Sequence, residues 1–282
     1  KIGIKVVAPD VNRSTAGPAT SRDTIWLGLG NVTGISAMVI DGIVNERIRE
    51  GNYTSVQDVV AKVVNYKLNV KAIEALAKSG AFDGIGASRK QVVERSGEIL
   101  KAAKDGANAA PGVDLFGFMD EVQTSLDMLD LSGDDYSERE KLEMEYEVMG
   151  FFGSKHPWEL YADQIKEAIS LGVIPANSMV PDQIAVTPDL DGFWEEDKSA
   201  SVYGILMGYK ASPSKHGVIE KFTLETSAGQ ALPVVMFSKS RRVFDTAIGK
   251  PVVVTGKLLT DAYAKEEVRQ IKATEYEPID VE

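Results

Sequence analysis

Two hydrophobic periods divide this chain. Between residues 28 and 110 apolar positions recur three and four apart, as at Ile35, Met38, Val39, Gly42, Ile43 and Ile48 and again through 68–79, which predicts helices. From 201 onward the period shortens to two, predicting strands over 201–209, 218–225, 232–237, 251–259 and 268–276, with a short helix over 242–248. A brief alternating run at 1–7 predicts one more strand at the start. Between the two periodic parts, Ser137 and Glu140 form the signature of a capping box and predict the start of a further helix.

The helical part is broken by two turns of small residues. In the first, Thr33-Gly34-Ile35-Ser36, Ser36 is placed to cap the helix that follows. A tight turn leading into a helix N-terminus leaves backbone N–H groups without intrahelical partners, and Gly34 lets another backbone come close. Such a turn is a phosphate cradle. The second turn, Gly80-Ala81-Phe82-Asp83, ends the helix 68–79 and leads to another one capped by Ser88, with Arg89 and Lys90 in its first turn. Two helix-hairpin-helix units in tandem imply a grip on nucleic-acid backbone, so Thr33, Gly34, Ile35, Ser36, Gly80, Ala81, Phe82, Asp83, Arg89 and Lys90 are the candidate DNA contacts. In the strand part, five strands with a helix between the third and fourth follow the order of an OB barrel. The expected fold class is multidomain α+β: a helical domain of tandem helix-hairpin-helix units, then a five-stranded OB-type β-barrel.

Charge refines this division. The formal net charge is -11, but residues 1–110 carry 15 Lys and Arg against 11 Asp and Glu, residues 111–198 carry 5 against 21, and residues 199–282 carry 11 against 10. The two flanking parts are free to meet phosphate, whereas the middle would be repelled from DNA and suits contact with protein. The chain has no cysteine and two histidines, which excludes a disulfide framework, a thiolate nucleophile and a Cys-ligated metal. With no apolar run of about eighteen residues and no leader pattern, a cytoplasmic protein without membrane contact is expected.

Three stretches carry a family resemblance: IGIKVVAPDVNRS, then GLGNVTGI with IVNERIREGNYTSVQDVV, then KAIEALAKSGAFDGIGASRKQVV. In this order they resemble the end of the fingers region and the tandem hairpins of the bacterial DNA polymerase III alpha subunit. LEMEYEVMGFFGSKHP is similar to the same family's Glu-rich helix running into Leu-Gly-Phe-x-x-Ser-x-His-Pro, with Met149 in place of Leu. The resemblance implies a short peptide that plugs into the sliding clamp, here Val113, Asp114, Leu115 and Phe116, with Gly112 standing where Gln is usual. It implies single-strand binding by the OB domain, for which Tyr209, Lys210, Lys215, Lys221, Phe222, Arg241 and Arg242 are the candidates, with Tyr203 as a further ring able to stack a base. The implied partners are double- and single-stranded DNA, the sliding clamp and other replisome subunits. The domains expected are 1–27, the end of the fingers; 28–110, the hairpins; 111–198, an acidic clamp-binding segment, helix and linker; and 199–282, the OB domain.

No residue of the chain itself is expected to be catalytic or to bind metal. Asp134 and Asp135 are adjacent in a turn, where successive side chains point apart. Gly84-Ile85-Gly86 follows a helix and not a strand, unlike a dinucleotide loop. His156 stands before Pro157 without a catalytic partner at a known spacing and is expected to anchor a turn. No cofactor is expected within the chain, and Mg²⁺ is expected with catalytic carboxylates lying before Lys1. The rival reading is a repair or recombination module that joins hairpins to an OB fold, and a third is a protein-docking scaffold. The opening IGIKVVAPDVNRS favours the polymerase.

Overall fold

The computed structural model describes residues 4–108, 125–171, 178–179, 197, 199–225, 231–238, 248–261 and 268–279. The chain forms two compact units, Lys1–Lys155 and His156–Glu282.

In the first unit, β1 (Lys5–Val7) runs parallel to β3 (Thr24–Trp26), which pairs antiparallel with β2 (Ala19–Ser21). The segment after β1 is held by side chains. Asn12 accepts from the Tyr53 N–H at 2.7 Å and donates to the Tyr53 carbonyl at 2.9 Å, so one amide stands in for a backbone neighbour. Helices α1 (Ala37–Glu50), α2 (Val56–Val63) and α3 (Val70–Lys78) start at Ser36, Ser55 and Asn69, each of whose side chains accepts a backbone N–H of the first turn. Helix α4 (Arg89–Asn108) follows Ser88, whose Oγ accepts from the Gln91 N–H at 3.2 Å. Helix α5 (Glu138–Met149) opens with the expected capping box of Ser137 and Glu140 and ends at left-handed Gly150.

Valines 56, 59, 60 and 63 of α2 share one apolar core with Val39, Ile40 and Ile43 of α1, Ile73 and Leu76 of α3, and Val92 and Ile99 of α4. The apolar stripe expected on α1 is corrected at its ends: Met38 is 45% and Ile48 76% exposed. Each lies five positions from Ile43, about 140° round the helix, beyond the face that Val39, Ile40 and Ile43 share. Gly42 faces Tyr66 so closely that a Cβ there would lie 2.5 Å from the ring.

The second unit begins with α6 (Pro157–Ser170) and continues through β4 (Ser178–Met179), β5 (Ser199–Ser214), β6 (Gly217–Glu225), β7 (Ala231–Ser238), β8 (Pro251–Asp261) and β9 (Val268–Pro278). The order is β4-β5-β6-β7-β9-β8, and the first half of long β5 also pairs with β8, so β5 to β9 close on themselves. Strands β7 and β9 are parallel, as the OB order requires. The helix expected over 242–248 falls almost wholly outside the described residues. Val202 and Val254 point into the barrel, while their neighbours Tyr203 and Val253 point out beneath Trp158 and Ile165 of α6. That face of β5 and β8 is therefore apolar on both sides. His156 anchors the start of α6, its Nδ1 accepting the Trp158 N–H at 3.1 Å and its Nε2 lying 3.0 Å from Glu225 Oε1.

Candidate nucleic-acid interface

The two hairpins are built differently. In the first, Thr33 and Ser36 are exposed and Gly34 and Ile35 half-buried. The Thr33 N–H donates to the Val148 carbonyl at 2.7 Å, which fixes the turn to the end of α5. None of the hydrogen bonds among the described residues takes the N–H of Gly34, Ile35 or Ser36. These donors stand at the N-terminus of α1, where the helix dipole adds partial positive charge. Gly34 has φ +102°, and a Cβ there would lie 3.3 Å from Lys71 Cε and 3.6 Å from the Ala75 methyl. Lys71, exposed on the first turn of α3, thus lies against the hairpin. Nothing in the local sequence marks it, because only the tertiary fold brings it to Gly34.

The second hairpin is closed. Ala81 and Phe82 are 0% and 1% exposed, and the N–H groups of Gly80, Ala81 and Asp83 donate at 3.0 Å to the carbonyls of Ala77, Leu76 and Gly80. The first two of these bonds are a Schellman cap on α3, with Gly80 at φ +82°. The expectation that Gly80, Ala81, Phe82 and Asp83 meet phosphate is corrected accordingly: the N–H groups of Gly80 and Ala81 satisfy the last carbonyls of α3, that of Asp83 is taken by Gly80, and Ala81 and Phe82 are buried.

Arg89 is corrected as well. It is 3% exposed, donating from Nε and Nη2 to Asp83 at 3.0 and 2.7 Å and from Nη1 to Glu145 at 2.9 Å. Burial by itself lowers the pKa of Arg89, but the hydrogen bond and charge of Asp83 and those of Glu145 outweigh it and raise the value overall. The second oxygen of the fully buried Glu145 accepts from the N–H groups of Gly153 and Ser154 at 2.8 and 2.9 Å. Arg89 is therefore part of a brace between the second hairpin, α5 and the turn after it. Lys90 does reach solvent, where it pairs with Asp134 at 2.5 Å. That hydrogen bond raises the pKa of Lys90 and lowers that of Asp134. Asp135 pairs with Lys141 at 2.8 Å, so neither carboxylate of the turn stands unpaired.

In the barrel, two expected base-stacking rings prove to be core. Phe222 is 4% exposed and packs edge-on against Tyr276, and Tyr203 lies beneath α6, where burial pushes its pKa up to about 12. On a pleated strand both fall on a face already covered. Tyr209 is half-buried, its hydroxyl donating to Glu220 at 2.9 Å, whereas Lys210, Lys215 and Lys221 are exposed. Val113, Asp114, Leu115, Phe116, Arg241 and Arg242 lie outside the described residues.

Residues 3–92 match a family model described as a helix-hairpin-helix motif. The DNA polymerase III subunit alpha of Xylella fastidiosa is 34% identical over 60% of this chain, and that of Deinococcus radiodurans 30% identical over 85%. The Borreliella burgdorferi subunit aligns over 91% of the chain at 29% identity. Over these residues the chain belongs to the DNA polymerase III alpha family. It spans 14%, 18% and 22% of the length of the Xylella, Deinococcus and Borreliella subunits. The open first hairpin, the closed second one and the barrel are thus features of a polymerase III alpha chain. No described helix is long and apolar enough to cross a membrane.

Proposed function

We propose that this chain is the DNA-handling and processivity portion of a replicative, DNA-directed DNA polymerase. The observation that carries the reading is the first hairpin, where the N–H groups of Gly34, Ile35 and Ser36 are unengaged at a helix N-terminus beside the exposed Lys71. Such donors reach phosphate oxygens and not base edges, so duplex DNA is gripped without regard to sequence. In this reading the hairpin region 28–110 holds the duplex, segment 111–198 meets the clamp and links the parts, and 199–282 meets the single-stranded template. Among the described residues no group of three or more His, Cys, Asp or Glu gathers as a metal site, and no step that uses Mg²⁺ is assigned to them.

Duplex affinity is expected to fall steeply with salt. Lys71→Ala should reduce the slope of log K against log salt by about 0.9, the value of one neutralised phosphate, by the same amount on unrelated duplexes. An unchanged slope, measured by fluorescence anisotropy, would remove Lys71 from the interface.

The sequence Val113-Asp114-Leu115-Phe116 supports clamp binding through two apolar side chains set in an acidic segment. Filling a preformed apolar pocket with each is worth roughly 1.5 to 3 kcal/mol, so Leu115→Ala with Phe116→Ala should abolish a weak clamp interaction and leave duplex binding intact. Clamp binding that survives, with a lowered melting temperature, would instead place the pair in a core.

A further inference from the structure

The outer surface of the barrel carries a pattern that deepens the single-strand reading and rests on it. Residues paired directly across neighbouring strands point to the same face, and one such row runs Lys210, Lys221, Val235, Lys272, Lys257 across β5, β6, β7, β9 and β8. The adjacent row, Tyr209, Phe222, Val234, Ile271 and Leu258, belongs to the core. Alternation therefore turns the first row outward, and all four of its lysines are exposed. With strands about 5 Å apart, the lysines form a line of positive charge across the β-strands. Only a loose ion pair opposes it among the described residues, Asp197 at 3.8 Å from Lys257.

Each side of the line has its own character. On one side, Gly208, Thr223 and Pro233 help to line an open groove of about 390 Å³ bordered by Lys210 and Lys221. A Cβ added to Gly208 would meet nothing within 4 Å, so the groove floor is open there. On the other side stands Phe237, two positions along β7 from Val235 and 57% exposed, with the Lys272 ammonium 5.5 Å from the ring centroid. A solvent-exposed ring leaves apolar surface uncovered, and beside a row of cations its π-face suits an unpaired base. An acidic peptide would use the lysines but not the ring, and a duplex keeps its bases stacked within itself.

We propose that the row Lys210, Lys221, Lys272 and Lys257 is the track for the sugar-phosphate backbone of a single strand, with one base stacked on Phe237. The strand crosses the β-strands, and the Gly208 groove takes the backbone or base next to Lys210 and Lys221. None of Phe237, Lys257 and Lys272 is among the residues that the sequence points to.

The test is fluorescence anisotropy with labelled oligo(dT) and the full 282-residue chain, over a range of salt, with excess unlabelled duplex to occupy the hairpin. Lys221→Ala with Lys272→Ala should flatten the salt slope by about 1.4, equivalent to about 25-fold weaker binding at 0.1 M salt and none at 1 M. Phe237→Leu should weaken binding about fivefold or more at every salt without changing the slope. Gly208→Val should weaken binding while leaving the melting temperature unaltered. Undiminished binding by the double lysine variant would overturn the track while leaving single-strand binding by the chain in place. Failure of the parent chain to bind oligo(dT) at any salt would overturn the single-strand reading itself. If the lysine pair matters but Phe237→Leu does not, and inorganic polyphosphate competes as well as oligo(dT), the surface is a general polyanion patch and the nucleic-acid assignment falls.

Discussion

Glu145→Ala is expected to destabilise the hairpin-bearing unit by about 3 to 5 kcal/mol, the range for removing one partner of a buried ion pair. The carboxylate is 0% exposed and serves two structural neighbours, Arg89 on one oxygen and the Gly153 and Ser154 N–H groups on the other. Removing it leaves a buried guanidinium with Asp83 as its remaining carboxylate, which is 49% exposed at the side chain, and orphans two backbone donors. Glu145→Gln should cost less, because the amide oxygen can still accept from one side. Urea unfolding followed by tryptophan fluorescence and by hydrogen exchange of α3 and α4 would measure both. A destabilisation below about 1 kcal/mol for the alanine variant would show that the brace does not hold the second hairpin, since surface changes lie in that range.

Gly34→Val is expected to lower duplex affinity by about tenfold or more at 0.1 M salt, alike on unrelated sequences, since every phosphate that the hairpin no longer neutralises takes about 0.9 from the salt slope. The substitution acts in two ways. It strains a backbone at φ +102°, and its side chain displaces Lys71, which lies 3.3 Å from the Cβ position. Gly80→Val behaves differently. Its Cβ would lie 2.5 Å from an Arg89 guanidinium nitrogen, so it should lower stability first and affect DNA only through unfolding. Measuring melting temperature and duplex affinity side by side separates the two glycines, which look alike in the sequence. Equal affinity for the parent and Gly34→Val would take the first hairpin out of the interface.

That pair of glycines also shows where sequence and structure part. Local chemistry was enough to place the helix starts after Ser36, Ser88 and Ser137, because each of these side chains caps within three residues and depends on nothing distant. Strand order in the barrel was legible for a similar reason: period-two runs and their spacing are local properties. Three kinds of feature were decided only by the tertiary structure. Which hairpin stays open depended on whether a turn's N–H groups serve as the cap of the preceding helix, as at Gly80 and Ala81, or remain unengaged, as at Gly34 and Ile35. The role of Arg89 depended on Glu145, which lies 56 residues away on another helix. On the barrel, alternation separated Lys221 from Phe222, but which face was core, which was covered by α6, and how lysines from separate strands fell into one row were set by cross-strand register. Register and burial are properties of pairs of segments, so no single stretch of this sequence contains them.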